Sequence, residues 1–146
     1  MAEKSQALIN ADIARAEGSK VSFGTLIFGR LDGGPGTHPE LITIGKGCLI
    51  ASEAVLLCHG YPNSWDSITI GDNCYIVFGA LILPGAVIGN NCVVGARAVV
   101  SHAHAFPDWS LIVGNPARVK RSLNELPRDI ERHKIFTDHM KIFEGL

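Results

Sequence analysis

Charge is missing from the middle of this chain: no Asp, Glu, Lys or Arg stands between Asn73 and Ala96. A stretch that long is enough to cross a bilayer as a helix, but Pro84, Asn90, Asn91 and five glycines or prolines in all interrupt it. No membrane insertion is therefore expected. Net charge is missing too. Thirteen basic against fourteen acidic residues leave −1, so nothing calls for nucleic acid or an anionic membrane as a bulk partner, and any recognition of an anion must be local. No charged segment leads into an apolar signal stretch at the start, so a cytoplasmic protein is expected. The cysteines have the spacing of neither a disulfide scaffold nor a zinc motif. No metal is expected on that count.

What the uncharged stretch does have is a repeat. From Ile70 it reads IGDNCY, IVFGAL, ILPGAV, IGNNCV, VGARAV, VSHAHA. The first places are Ile70, Ile76, Ile82, Ile88, Val94 and Val100, and the fifth places through Ala98 are Cys74, Ala80, Ala86, Cys92 and Ala98, all small. A period of six fits neither the 3.6 of a helix nor the 2 of an isolated strand, and a fixed short repeat marks a solenoid. The fold class expected is a parallel β-helix, a three-sided prism in which six residues make each face and residue i+18 lies above residue i. Aliphatic first places point inward, small fifth places sit inside near a corner, and coils stack at roughly 4.8 Å. Gly45, Gly71, Gly89 and Gly95 at second places, with Asn73 and Asn91 at fourth places, suit bends that need unusual backbone angles. Cys48, Cys74 and Cys92 occupy fifth places and are expected to be reduced packing residues.

At 146 residues the chain is expected to be a single β-helix domain, with repeats from about 42 to 118. Ala7 to Ala16, with Ile9 and Ile13, predict a short amphipathic helix ending near Gly18. Val21 to Phe28 predicts strand and the start of an irregular first coil. Residues 32–39 are a loop by composition. The register resumes at Ile44, Ile50 and Leu56. Leu56 to Ile70 is fourteen residues, two more than two units give, so an inserted loop is expected around residues 61–67. Leu111 to Arg118 predicts a last strand and turn. From Leu126 to Phe143 the period changes, with Pro127 at a first turn and Ile130, Ile135, Phe136, Met140, Ile142 and Phe143 on a broad apolar face. This predicts a C-terminal α-helix that closes the solenoid or packs on a neighbour.

The blocks LLCHGY from Leu56, ITIGDNCYI from Ile68, ILPGAVIG from Ile82, VVGARAVV from Val93 and VGNPARVKR from Val113 resemble those of the hexapeptide-repeat acyltransferases. The nearest look is to the branch that acetylates sugars and polysaccharide precursors. The resemblance covers roughly residues 42 to 121. It implies a left-handed β-helix, a homotrimer with active sites between subunits, and acetyl-CoA as donor to a hydroxyl or amine of a sugar or nucleotide-sugar.

Read from its place in the repeat, His59 is expected to point outward at a prism corner beside the inserted loop, with Gly79 above it in the next coil and Arg97 above that. A glycine over a histidine leaves a slot for a pantetheine arm. The chemistry expected is direct transfer, with neutral His59 taking the proton of the acceptor and a backbone N–H holding the oxyanion. His38 is an alternative base. Cys58, expected to be exposed, raises a covalent acyl-enzyme route. For the donor, the resemblance points to Phe78, Gly79, Ala96, Ser101, His102, Asn115, Pro116, Arg118, Lys120 and Arg121, the last three suiting phosphates. His38, Tyr61 and Trp65 stand where an acceptor is expected. The chain departs from the family pattern at Tyr61, Phe78 and His102 and in a longer segment before Gly114. Two rivals follow: a non-catalytic scaffold or ligand-sensing subunit, and a zinc enzyme of the same shape using His59, His102 and His104, which lack the expected spacing.

Overall fold

The computed structural model describes residues 5–33, 36–60, 64–101 and 104–125. The expected helix at 126–143 lies outside them. Short strands, most of them two residues long, stack into three walls. The first wall holds Lys20–Val21, Ile42–Ile44, Ile68–Ile70, Val87–Ile88 and Ala105–Phe106. The second holds Leu26–Ile27, Leu49–Ile50, Tyr75–Ile76, Val93–Val94 and Ser110–Gly114. Arg30–Leu31, Val55–Leu56, Leu81–Ile82 and Val99–Val100 form the third. All of these pairings are parallel. The chain visits the walls in turn, so each circuit is one coil of a three-sided prism.

Coiling begins at Lys20, well before residue 42. The first circuit hides from a period of six because Leu31 follows Ile27 after four residues, yet pairs with Leu56 all the same. Higher up the spacing is regular: Tyr75 faces Val93 and Leu81 faces Val99, eighteen residues on. Below, Leu49 faces Tyr75 and Leu56 faces Ile82, twenty-six residues on. The insertion is thus eight residues, not two. After Leu56 the chain crosses one corner rather than a whole further face, and the surplus leaves as an antiparallel hairpin of His59–Gly60 with Ser64–Trp65. The expected last strand and turn are present, and the chain then goes further. Ser110–Gly114 doubles back into Ala117–Ser122, the antiparallel strand that closes the second wall.

The inward column is aliphatic except at Phe106, which stacks on Ile88: Ile42, Ile44, Ile50, Leu56, Ile68, Ile76, Ile82, Val94, Val100 and Ile112 are fully buried. Each contributes on the order of 1.5–3 kcal/mol by leaving water. The corners divide labour between two places. Fourth places carry the left-handed backbone, at Gly47, Glu53, Asn73, Gly79, Gly85, Asn91, Arg97 and Trp109. The second-place glycines are needed for another reason, close approach. A Cβ on Gly71 would lie 2.4 Å from Asn90 Oδ1 and 2.8 Å from Asn90 N, so the coils meet there with no room for a side chain.

Cys48, Cys74 and Cys92 are buried free thiols. Their Sγ atoms donate to the carbonyls of Gly71 (3.0 Å), Gly89 (3.0 Å) and Pro107 (3.2 Å), each on the next coil. Cys48, Cys92 and burial together push the Cys74 thiol above its ordinary range. The N-terminal helix, Gln6–Glu17, is capped by Ser5 and ends at Gly18, φ 113°. Its buried stripe is Ala7, Ala11 and Ala14, while Ile9 and Ile13 face outward. Alanine lets the helix lie close enough for Asn10 to donate to the Ile27 carbonyl (2.8 Å) and Arg15 to those of Val21 and Ser22 (2.6 and 3.1 Å). Three carbonyls at the open edge of the first coil are thereby satisfied. No helix among the described residues is long and apolar enough to cross a membrane.

Candidate active site

The site grows from the edge between the third and first walls. Asp32 extends the third wall by one residue, its N–H donating to the Leu56 carbonyl at 2.9 Å. Its side chain, 8% exposed, accepts from the Cys58 N–H at 3.1 Å and from His59 Nδ1 at 2.6 Å, both on Oδ2. An ionised carboxylate can only accept, so Nδ1 carries the shared proton, and in the neutral ring Nε2 is then the nitrogen with the lone pair. His59 stands at the foot of the hairpin with its side chain half exposed. It faces a cleft of about 240 Å³ lined by Gly36, Thr37, His59, Gly60 and Trp65. The Trp65 ring lies 5.5 Å from the His59 ring, tilted by 54°. On the same indole, His38 makes an edge contact at 4.5 Å and 79°, and His38 Nδ1 pairs with Glu40 Oε1 at 2.8 Å. Glu40's own backbone N–H and then the His38 ring hold its carboxyl below the usual range.

Two of these carboxylates escaped sequence reasoning. The signal for Asp32 was present: the outward places above it on the same edge are Leu57, Leu83 and Ser101, so an acid there stands out once the register of Leu31 with Leu56 and Ile82 is known. Glu40 offered only its position two residues from His38.

Cys58 is fully buried rather than exposed. Burial, with the Asp32 charge second, pushes its thiol up to about 11. A thiol that is neutral at working pH and shut away from the cleft is a poor nucleophile. Cys58→Ala is expected to keep acyl transfer within about two-fold of the wild type, whereas a covalent route would lose it; single-turnover kinetics decide between them.

The donor candidates gather on a different edge, between the second and third walls. The Arg97 N–H bonds to the Phe78 carbonyl (2.9 Å) and the Gly79 N–H to the Ser52 carbonyl (3.2 Å), stacking Ala96–Arg97 on Phe78–Gly79 with the hairpin turn Asn115–Pro116 above. Gly79 therefore does not lie over His59. The eight-residue hairpin shifts the register, and the neighbour of Gly79 is the Arg97 stem, 3.2 Å from where a Cβ would stand. The Arg97 guanidinium lies 5.4 Å over the Phe78 ring. Arg118, opposite Val113, tops this column; Arg121, opposite Leu111, lies farther along the same strand with Lys120 between, and all three are exposed. Ser101 is apart from them, on the His59 edge. Tyr61 and His102 lie outside the described residues. Among the described residues no group of three or more His, Cys, Asp or Glu side chains is placed to hold a metal.

A family model described as bacterial transferase hexapeptide (six repeats) matches residues 67–102. Over those residues the chain carries the repeat of the hexapeptide transferases. Its sequence is 33% identical over 108 residues to galactoside O-acetyltransferase of Escherichia coli (strain K12), a match covering 67% of this chain and 50% of that protein. The chain spans about half the length of the curated relatives it matches. Among solved structures it resembles a maltose O-acetyltransferase from Clostridium difficile 630, at TM-score 0.61 and 22% identity over 85% of this chain and 80% of that one. It also resembles a galactoside acetyltransferase in complex with coenzyme A, at TM-score 0.61 and 22% identity over 85% of this chain and 74% of that one. The fold they share is the left-handed β-helix.

Proposed function

We propose that this hexapeptide-repeat protein is an acetyl-CoA-dependent acyltransferase acting on a hydroxyl or amine of a sugar or nucleotide-sugar, with His59 as general base. The observation that carries the reading is the 2.6 Å contact of His59 Nδ1 with a nearly buried Asp32 carboxylate, in a ring that lines an open cleft. Such an imidazole takes the proton of an acceptor O–H or N–H as the oxygen or nitrogen forms its bond to the acyl carbon. Asp32 stabilises the imidazolium that results, and His59 then returns the proton to the departing sulfur. The bound thioester supplies an activated acetyl group. Exposed Ala96, the bare backbone at Gly79 and the cations Arg118, Lys120 and Arg121 fit its pantetheine arm and phosphates. The galactoside and maltose acetyltransferases among the relatives support a sugar as acceptor.

The same geometry supports a homotrimer. His59 and the Phe78–Arg97 column occupy different edges of one prism, separated by the third wall. That wall's outer face carries Val55, Leu57, Leu81, Leu83 and Val99, half-buried aliphatic residues that suit packing against a second copy. Packed so, the donor column of one subunit completes the His59 cleft of the next.

Thiol release from acetyl-CoA across a panel of sugar acceptors tests the reaction. A thermal shift tests the donor. CoA is expected to raise the melting temperature more than dephospho-CoA, and an Arg118→Ala/Arg121→Ala variant to lose that difference. A protein that neither nucleotide stabilises, and that releases no thiol with any acceptor, is a scaffold.

A further inference from the structure

Trp65 is held from two directions by imidazoles that are themselves held by carboxylates. On one side stands His59 with Asp32, on the other His38 with Glu40. The first pair belongs to the reaction. The second lies in the loop preceding Ile42, and its ring is not among the residues lining the cleft, although its neighbours Gly36 and Thr37 are. A histidine kept as a reserve base would face the cleft. This one spends its ring on the indole, and its Nδ1 on Glu40.

We infer that His38 and Glu40 are a positioning pair: the carboxylate orients the imidazole, and the imidazole fixes Trp65 as the acceptor wall of the His59 cleft. The inference rests on reading that cleft as an acceptor site. Trp65 sits on a hairpin whose strands are two residues each and which leaves the prism at a corner. So short a hairpin does not hold itself. The edge contact at 4.5 Å ties Trp65, opposite His59 at the foot of the hairpin, to the loop that forms the other side of the cleft, and aromatic contacts of this geometry are favourable beyond their burial. His38 thereby governs how well an acceptor is held and leaves proton transfer to His59.

The test uses methyl β-galactopyranoside and maltose as acceptors at saturating acetyl-CoA. His38→Ala is expected to raise the acceptor KM about 3- to 10-fold with kcat within about two-fold. Glu40→Gln moves the KM the same way by less, and His38→Phe, which restores a ring edge, recovers it. A second readout needs no turnover. Acrylamide quenching of Trp65, taken as the difference between wild type and Trp65→Phe, is expected to steepen in His38→Ala. Loss of kcat with an unchanged acceptor KM makes His38 a base and overturns the proposal, and so does unaltered quenching. If neither sugar is acetylated by the wild type, the acyl-transfer reading for these sugars has failed, and the quenching result alone upholds or overturns the clamp.

Discussion

His59→Ala is expected to lower acetyl transfer by about 10²- to 10⁴-fold, the range that a positioned general base supplies, while CoA-induced thermal stabilisation stays as in the wild type. The split follows from the proposed roles, because the donor's arm and phosphates would be held by the Gly79–Ala96 column and the cations beyond it, and His59 would meet only the thioester end. Asp32→Asn should fall in the same direction. Its amide fills the same space, but it loses the charge that stabilises the imidazolium, and an NH₂ turned toward Nδ1 would favour the wrong tautomer. The assay is thiol release from acetyl-CoA with the best acceptor from the panel, read as kcat and kcat/KM for each variant. Equal release from wild type and His59→Ala removes His59 from the mechanism.

Ile82→Ala is expected to destabilise the fold by about 2–5 kcal/mol, the cost of a cavity where the surroundings cannot collapse. Ile82 is fully buried between Leu56 on the coil below and Val100 on the coil above. Hydrogen-bonded walls hold those coils apart, so neighbouring side chains cannot close the gap. Val87→Ala is the control. Val87 is adjacent in the repeat but points out of the first wall, 45% exposed, and its truncation should stay within about 0.5 kcal/mol. Urea unfolding of both variants checks the contrast, and similar losses would contradict the inward-outward alternation.

The prism was legible because its constraint recurs: from Ile70 to Val100 every inward first place is aliphatic, which spells the register six times. Where the constraint is relieved, the spelling stops. The first coil is as much a coil as the others, but its step from Ile27 to Leu31 is short and its return runs through a loop. The N-terminal helix was visible, yet not its orientation. Ile9 and Ile13 carry the hydrophobicity, but close approach to the first coil demands the smaller Ala7, Ala11 and Ala14. The site was half legible. His59 stood out beside a break in the repeat, whereas Asp32, twenty-seven residues earlier, joins it only through the pairing of Leu31 with Leu56. Nor could counting reveal that the surplus was eight residues, and that miscount put Gly79 on the wrong edge.

The reversed strand Ala117–Ser122 carries a consequence for how such chains can change in length. It offers the top of the second wall no rung of matching polarity, and Asn10 and Arg15 already occupy carbonyls at the bottom. New turns must therefore enter internally, and in steps of eighteen. Adding six residues between the hairpin and Phe78 would twist everything above by a third of a revolution and carry Ala96 and Arg118 onto another side of the molecule. Residues extruded at a corner escape this quantisation, which is why differences in length among such chains are expected to fall around positions 33–37 and 61–63, between the residues of the site, and to spare the walls.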